Sequence, residues 1–418
     1  LQIFNDFQHR LHSAFWKILV ELIMAFSQRN PSPLWIGVAI AFYAFIAIGI
    51  IEAGLGVLLP SILITYHLTP ATVTLLFISQ ISGYMIAAFT SSLVSRRFGL
   101  ARMLFVAAST LTLALVIYAL SPNWLIMVTT GAFLGLGIGL IDAGINTYIV
   151  QEGRNAHLIG LLHAFYGVGA FSGPLLATTL LALGMDWRQV YGGLAVIVSL
   201  LIVAVLGIIV CRYPLMTVRT AAPSTSAISH LWQSLQTPAV LITGLLLLVY
   251  VGTEASIGNW AYSVQSIARQ TPALIAGYSV SAYWLGLTVG RFSLGFFLQR
   301  LGGIRTITLS LSLLMISLLS WWLLPEQVIS LPLMGFALAA IFPTTLWLIP
   351  QRVPEALVPA AIGFATSTAS FGAAIVPTSL GWIASWAGLE IIPALTLPLA
   401  LLMAGLHCSL TQPWQPRG

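Results

Sequence analysis

Three carboxyl groups stand where this sequence makes a charge hardest to keep. Of its ten acidic residues, Glu52, Asp142 and Glu254 fall deep inside long apolar runs. Ionisable groups surrounded by hydrocarbon are costly, so each needs a reason to be there. Moving a carboxyl away from water favours its protonated form, which is the property that a site loading and unloading a proton requires. The competing reading is a carboxyl bonded to a neighbouring helix purely for packing. Asp142 has Asn146 one helical turn along the same run, and His163 and Tyr166 fall at comparable depth on the next one. Asp142 is therefore expected to reach Asn146, His163 or Tyr166. His163 either relays a proton with it or donates one structural hydrogen bond. Glu254 serves binding, coupling or structure equally well, and Arg291, inside a later run, needs an acidic partner or a substrate contact.

A binding site built around such acids needs apolar walls and a few polar anchors. Tyr250, Trp260 and Trp284 supply rings, while Gln80, Asn146, Asn259 and Tyr166 supply hydrogen-bonding groups. Rings can stack on the face of a sugar, and amides can bond its hydroxyls. Most aromatics in such a chain only pack. Trp260 and Trp284 are singled out by polar or glycine-rich neighbours, Gly258-Asn259-Trp260 and Trp284-Leu285-Gly286, and both are expected to border a central cavity. There is no nucleophile–base arrangement, phosphate-binding loop or metal-ligand spacing in the sequence. No catalytic residue, metal or cofactor is therefore assigned, and an enzyme is not expected. Cys211 and Cys408 each end a hydrophobic run, without the spacing of a disulfide framework.

The elements that must position these groups are membrane helices. Of 418 residues, 59% are hydrophobic and 6% charged, with mean hydropathy +0.99. Soluble domains carry about 25% charged residues, so the solvent here is the lipid bilayer. A spanning helix takes about 20 apolar residues. Twelve runs qualify, near 34–60, 71–94, 101–120, 124–150, 158–182, 189–211, 237–265, 273–300, 304–324, 328–350, 356–384 and 389–409. Residues 1–33 form an amphipathic segment, with Phe4, Phe7, Leu11, Phe15, Ile18 and Leu22 at helical spacing, that either lies in the interface or packs on the bundle. Residues 34–211 and 237–410 each hold six runs, joined by a polar linker at 212–236, with a tail at 411–418. Placing both termini in the cytoplasm puts thirteen basic residues inside and two, Arg188 and Arg269, outside, as the positive-inside rule asks. The net charge of +6 is spread thinly over loops, with no basic stripe of the kind that binds nucleic acid.

The two sets of six runs repeat. Gly83, Arg97, Gly99 and Arg102 recur as Gly286, Arg300, Gly302 and Arg305, each 203 residues later. Gly160, Gly169 and Pro174 recur as Gly363, Gly372 and Pro377 at the same offset. Such parallel duplication is the build of the major facilitator superfamily. The stretch Ser92-Leu93-Val94-Ser95-Arg96-Arg97-Phe98-Gly99, and its copy from Gly295 to Gly302, resembles that superfamily's G-x-x-x-D-R-x-G signature. Both copies lack the acid, with Arg96 and Gln299 in its place. The resemblance covers nearly all of residues 34–409. It implies two pseudo-symmetric six-helix halves, with Arg97, Gly99, Arg102, Arg300, Gly302 and Arg305 in conformational-switch loops.

Glu52 on the first run, Asp142 on the fourth and the stretch His163-Ala164-Phe165-Tyr166-Gly167 also resemble the fucose/galactose/glucose–proton symporters. That resemblance implies proton-coupled transport of a small organic solute, a sugar among the candidates, by a monomer in a bacterial inner membrane. Its partners would be the solute, protons and the lipid bilayer. A proton-driven exporter of lipophilic compounds is the alternative. A receptor or assembly factor on the same scaffold stands behind both.

Overall fold

The computed structural model describes residues 34–151, 156–211, 232–325 and 328–411. The amphipathic segment at 1–33, most of the 212–236 linker and the end of the tail lie outside these residues. Among the described residues, eleven helices are long and apolar enough to cross a membrane. One of them, Ala273–Leu323, is two spans joined at Gly302, whose φ of 74° and ψ of 166° are not helical. The result is an all-α bundle of twelve spans. They are α1 (Leu34–Thr65), α2 (Pro70–Phe98), α3 (Leu100–Leu120), α4 (Trp124–Gln151), α5 (Ala156–Ala182) and α6 (Trp187–Val210). After them come α7 (Pro238–Ser263), α8 (273–301), α9 (303–323), α10 (Ser330–Trp347), α11 (Val358–Ala387) and α12 (Ile391–Thr411).

Some ends differ from the sequence reading. The first run was expected to stop near residue 60, yet α1 continues through Pro60 to Thr65. Proline inside a spanning helix is tolerated because neighbouring helices and hydroxyls satisfy the freed backbone. Conversely, α10 is two pieces, Ser330–Leu338 and Ile341–Trp347, rather than one.

Lipid supplies no hydrophobic force between helices, so their association depends on close van der Waals packing across small residues. Gly169 on α5 lies so close beneath the Ile46 carbonyl of α1 that a Cβ would overlap it. Its repeat partner Gly372, on α11, sits in the same way beneath the Leu248 carbonyl of α7. Gly83 brings α2 onto α4 at Ala132, and Gly286 brings α8 onto α10 at Pro332. The duplication seen in the sequence is thus a duplication of packing, in the arrangement of the major facilitator fold.

The two sets of helices meet at one end. Gly56 of α1 abuts Gly258 of α7, and the Ala71 N–H at the start of α2 donates to the Ser385 hydroxyl near the end of α11 at 2.6 Å. The Thr179 and Tyr278 hydroxyls pair α5 with α8 at 3.2 Å. At this same end Arg269 donates to both oxygens of Glu390 at 3.0 Å and to the Trp321 carbonyl at 2.8 Å, tying α7, α9 and α12 together. Arg97, Arg102, Arg300 and Arg305 lie exposed at the opposite, basic end. Glu52 and His163, although in mid-helix, are exposed as well. The bundle is closed at the far end and opens toward the basic one.

Candidate substrate and proton site

A cavity of about 360 Å³ occupies the centre of the bundle. Small-molecule sites run from about 300 to 1,000 Å³, so it suits a compact solute. Its walls come from six principal helices: Glu52 on α1, Gln80 and Tyr84 on α2, Asp142 on α4, His163 and Tyr166 on α5, Tyr250, Glu254 and Asn259 on α7, and Trp284 and Arg291 on α8. Phe45, Phe77 and Phe342 are among the apolar side chains between them.

Each acid is held differently. Tyr166 donates its hydroxyl to Glu52 Oε2 at 2.9 Å, linking α5 to α1. Tyr84 donates to Asp142 Oδ2 at 2.6 Å, and Asn146 Nδ2 donates to the other carboxyl oxygen at 2.8 Å. Asp142 is therefore bonded on both oxygens. Glu254 faces Arg291 instead, with Oε1 3.7 Å from Nη2. That contact is an ion pair but too long for a hydrogen bond. The cavity thus carries three carboxyl groups and one guanidinium, and the imbalance falls on the wall formed by α1 and α4.

Of the three partners expected for Asp142, Asn146 is the one it reaches. Tyr166 bonds Glu52 rather than Asp142. His163 lines the same cavity, but its ring stands edge-on to Phe45 at 5.8 Å, and both Asp142 oxygens are taken by Tyr84 and Asn146. Of the two roles read for His163, the relay with Asp142 is not formed. Asn146 supports Asp142 from one turn away without itself lining the cavity.

Trp260 is the clearest correction. It was expected at the cavity beside Trp284, but it is fully buried, donates Nε1 to the Pro377 carbonyl at 2.9 Å and packs edge-on against Phe77. Its position one residue after Asn259 turns it about 100° around α7, away from the cavity and onto α11. Trp284 does face the cavity, and Gly258 leaves room for its ring, since a Cβ there would lie 2.8 Å from Trp284 Cζ2. Sequence reasoning missed Tyr84. It stands one helical turn from Gln80, so the same-face rule offered a signal.

The switch-loop residues lie well away from this site. Gly99 and Gly302 turn the chain at the basic end with φ of 83° and 74°. The Arg97 and Arg300 guanidinium groups lie 5.6 Å and 4.5 Å from the ring centroids of Phe98 and Phe296.

Comparison with known proteins points the same way. A family model described as Major Facilitator Superfamily matches residues 34–377. "Bypass of stop codon protein 6" of Saccharomyces cerevisiae is 25% identical over 395 residues, covering 84% of this chain and 77% of that one. The glucose/mannose transporter GlcP of Bacillus subtilis is 23% identical over 370 residues, covering 87% of this chain and 91% of the other. A crystal structure of the nucleoside transporter NupG superposes with a TM-score of 0.75 at 13% identity, covering 90% of this chain and 100% of that chain.

Proposed function

The chain belongs to the major facilitator superfamily and is a membrane transporter rather than an enzyme, and from that premise we propose that it carries a small polar organic solute, a sugar first among candidates, together with protons. The observation that carries this reading is the pair of tyrosine-held carboxyl groups, Glu52 and Asp142, on the walls of a solute-sized cavity. The cavity opens at the basic end, so a proton and a solute exchange with the same side. Asp142 takes the proton while Asn146 and Tyr84 hold its carboxyl in place. Glu52, Gln80, Asn259 and Tyr250 offer hydrogen bonds to hydroxyl groups, and Trp284 offers a ring face. Neutralising the wall of α1 and α4 removes the cost of enclosing bare carboxylates. The loaded cavity can then close at one end and open at the other, so that solute and proton taken up at the far end are released at the basic one. Proton affinity that differs between the two conformations couples them, because protons bias the equilibrium in return. The likeness to a glucose/mannose transporter supports a sugar as cargo.

The basic bias of the loops supports cytoplasmic termini, a cytoplasmic basic end and a bacterial inner membrane as the setting. A monomer suffices, since the cavity is complete within one chain. The apolar stretch Phe45, Ile48, Leu55, Phe77 and Phe342 favours one second reading, export of lipophilic compounds driven by protons.

Asp142→Asn mimics the protonated acid. In proteoliposomes it is expected to abolish uphill accumulation while counterflow exchange persists, with Glu52→Gln as the comparison. Uphill accumulation with unchanged pH dependence in Asp142→Asn would make Asp142 structural. Thermal-shift screening of sugars against lipophilic compounds separates the two cargo readings, because only a ligand of the folded state stabilises it.

A further inference from the structure

The longest contact between the two halves is the antiparallel pair α5 and α8, and it is built from two reciprocal sockets. Gly167 of α5 receives Thr288 of α8, and a Cβ at 167 would lie 2.5 Å from the Thr288 hydroxyl oxygen. Eleven residues along each helix, from 167 to 178 and from 288 back to 277, the roles are exchanged. There Gly277 of α8 receives Thr178 of α5, whose side chain fills the place of a Cβ. Eleven residues make about three helical turns, so both sockets lie on one strip of each helix, about 16 Å apart by helical rise.

The two threonines differ in one respect. Thr288 donates its hydroxyl to the Trp284 carbonyl at 2.8 Å. The Thr178 hydroxyl is buried and has no hydrogen-bond partner among the described residues. A buried donor left unmet destabilises the arrangement that holds it. The sockets also differ in place. Gly277 and Thr178 belong to the closed far end, next to the Thr179–Tyr278 hydroxyl pair. Gly167 and Thr288 lie behind the cavity wall, next to Tyr166, which holds Glu52, and one turn from Arg291.

We propose that Gly167 and Thr288 form the pivot on which the two halves rock, and that Gly277 and Thr178 form a clasp that sets how often the far end opens. The satisfied socket persists in both conformations. The unsatisfied one is released, and Thr178 then bonds its own helix backbone or water. The pivot lies beside the Glu52–Tyr166 and Glu254–Arg291 pairs, so the acids sit where the halves move least while access to them changes most. The proposal rests on alternating access by this fold, but not on the identity of the solute or on proton coupling.

The test is labelling of the full chain in nanodiscs, with Cys211 and Cys408 replaced by serine and Leu55→Cys as a reporter in the cavity wall. A bulky maleimide is offered while the basic end is blocked, so the reporter reacts only when the far end opens. Gly277→Ala wedges the clasp and is expected to raise the labelling rate about tenfold, the shift one overpacked methyl group produces in a two-state equilibrium. Adding Thr178→Gly makes room for that methyl group, because the Thr178 Cβ itself lies 2.7 Å from its place, and should return the rate toward the starting value. Thr178→Val keeps the shape, removes the unmet hydroxyl and should slow labelling, and this variant serves even if Gly277→Ala fails to fold. Gly167→Ala should lower the melting temperature without the rise in labelling, with recovery in Gly167→Ala/Thr288→Ala. Unchanged or faster labelling in Thr178→Val overturns the proposal. An equal rise in Gly167→Ala and Gly277→Ala also overturns it, since both sockets would then open alike. No solute or proton gradient enters these measurements, so their outcome is independent of the cargo and coupling readings.

Discussion

Asp142 accepts hydrogen bonds on both carboxyl oxygens, and the one from Tyr84 is the shorter, at 2.6 Å. Hydrogen bonds to a charged group contribute about 1.5–3 kcal/mol. Tyr84→Phe should therefore cut coupled uptake by about tenfold to a hundredfold, with a smaller change in melting temperature than in rate. Uptake within twofold of the parent would remove Tyr84 from the coupling machinery. The two tryptophans separate in the opposite sense. Trp260 is fully buried and bonded to Pro377, so Trp260→Ala should lose about 3–5 kcal/mol of stability yet bind ligand with little change. Trp284→Ala should weaken binding while melting nearer the parent, and equal affinity losses in both would restore Trp260 to the site. The acids could be picked out in the sequence because a charge in an apolar run is expensive whatever its partner. Their partners could not. Tyr166 chooses Glu52 over Asp142, and Trp260 turns outward, through helix rotations of a fraction of a turn that no single run encodes.

The helices themselves were more legible, for a physical reason. An apolar run long enough to cross lipid can satisfy its backbone only as a helix, so the count of twelve followed from composition and punctuation. The repeat marked the two turns at the basic end, and the structure explains why glycine stands in both. Gly99 and Gly302 have φ of 83° and 74° with ψ of 156° and 166°, a region open essentially to glycine alone. At Gly302 a Cβ would meet no neighbouring atom, so the penalty there is backbone strain and not crowding. Gly302→Ala should cost about 1–3 kcal/mol, read as a lowered melting temperature with the cavity's ligand affinity retained. A melt matching the parent would mean the joint between α8 and α9 bends another way. What the runs hid is how helices end and break. Pro60 suggested a stop that α1 ignores, whereas α10 breaks between Leu338 and Ile341 with no charged residue to announce it.

At the scale of the whole molecule, two independent features agree on a direction. The far end is closed by contacts between the halves, at Gly56 with Gly258, Ala71 with Ser385 and Thr179 with Tyr278. The opposite end carries Arg96, Arg97, Arg102, Arg300 and Arg305, all exposed. Basic residues in short loops favour the cytoplasmic side, and they fix orientation during insertion, before any cavity exists. The closed far end is a separate property of the folded chain, set by packing. Together they predict a resting state open to the cytoplasm. Ser370, on the α11 wall of the cavity, provides the probe as Ser370→Cys, with both native cysteines replaced by serine. A membrane-impermeant maleimide should label it quickly in inside-out vesicles and slowly in right-side-out ones. Ser92→Cys, near the basic end of α2, should follow the same sidedness and reports orientation alone. If Ser92→Cys labels only in right-side-out vesicles, the topology is inverted and the positive-inside reading fails. If Ser92→Cys behaves as expected but Ser370→Cys labels faster from outside, the orientation stands and the resting state is the outward-open one. A transported solute should slow Ser370→Cys labelling while leaving Ser92→Cys unchanged, because only the first lies in the cavity that the solute fills.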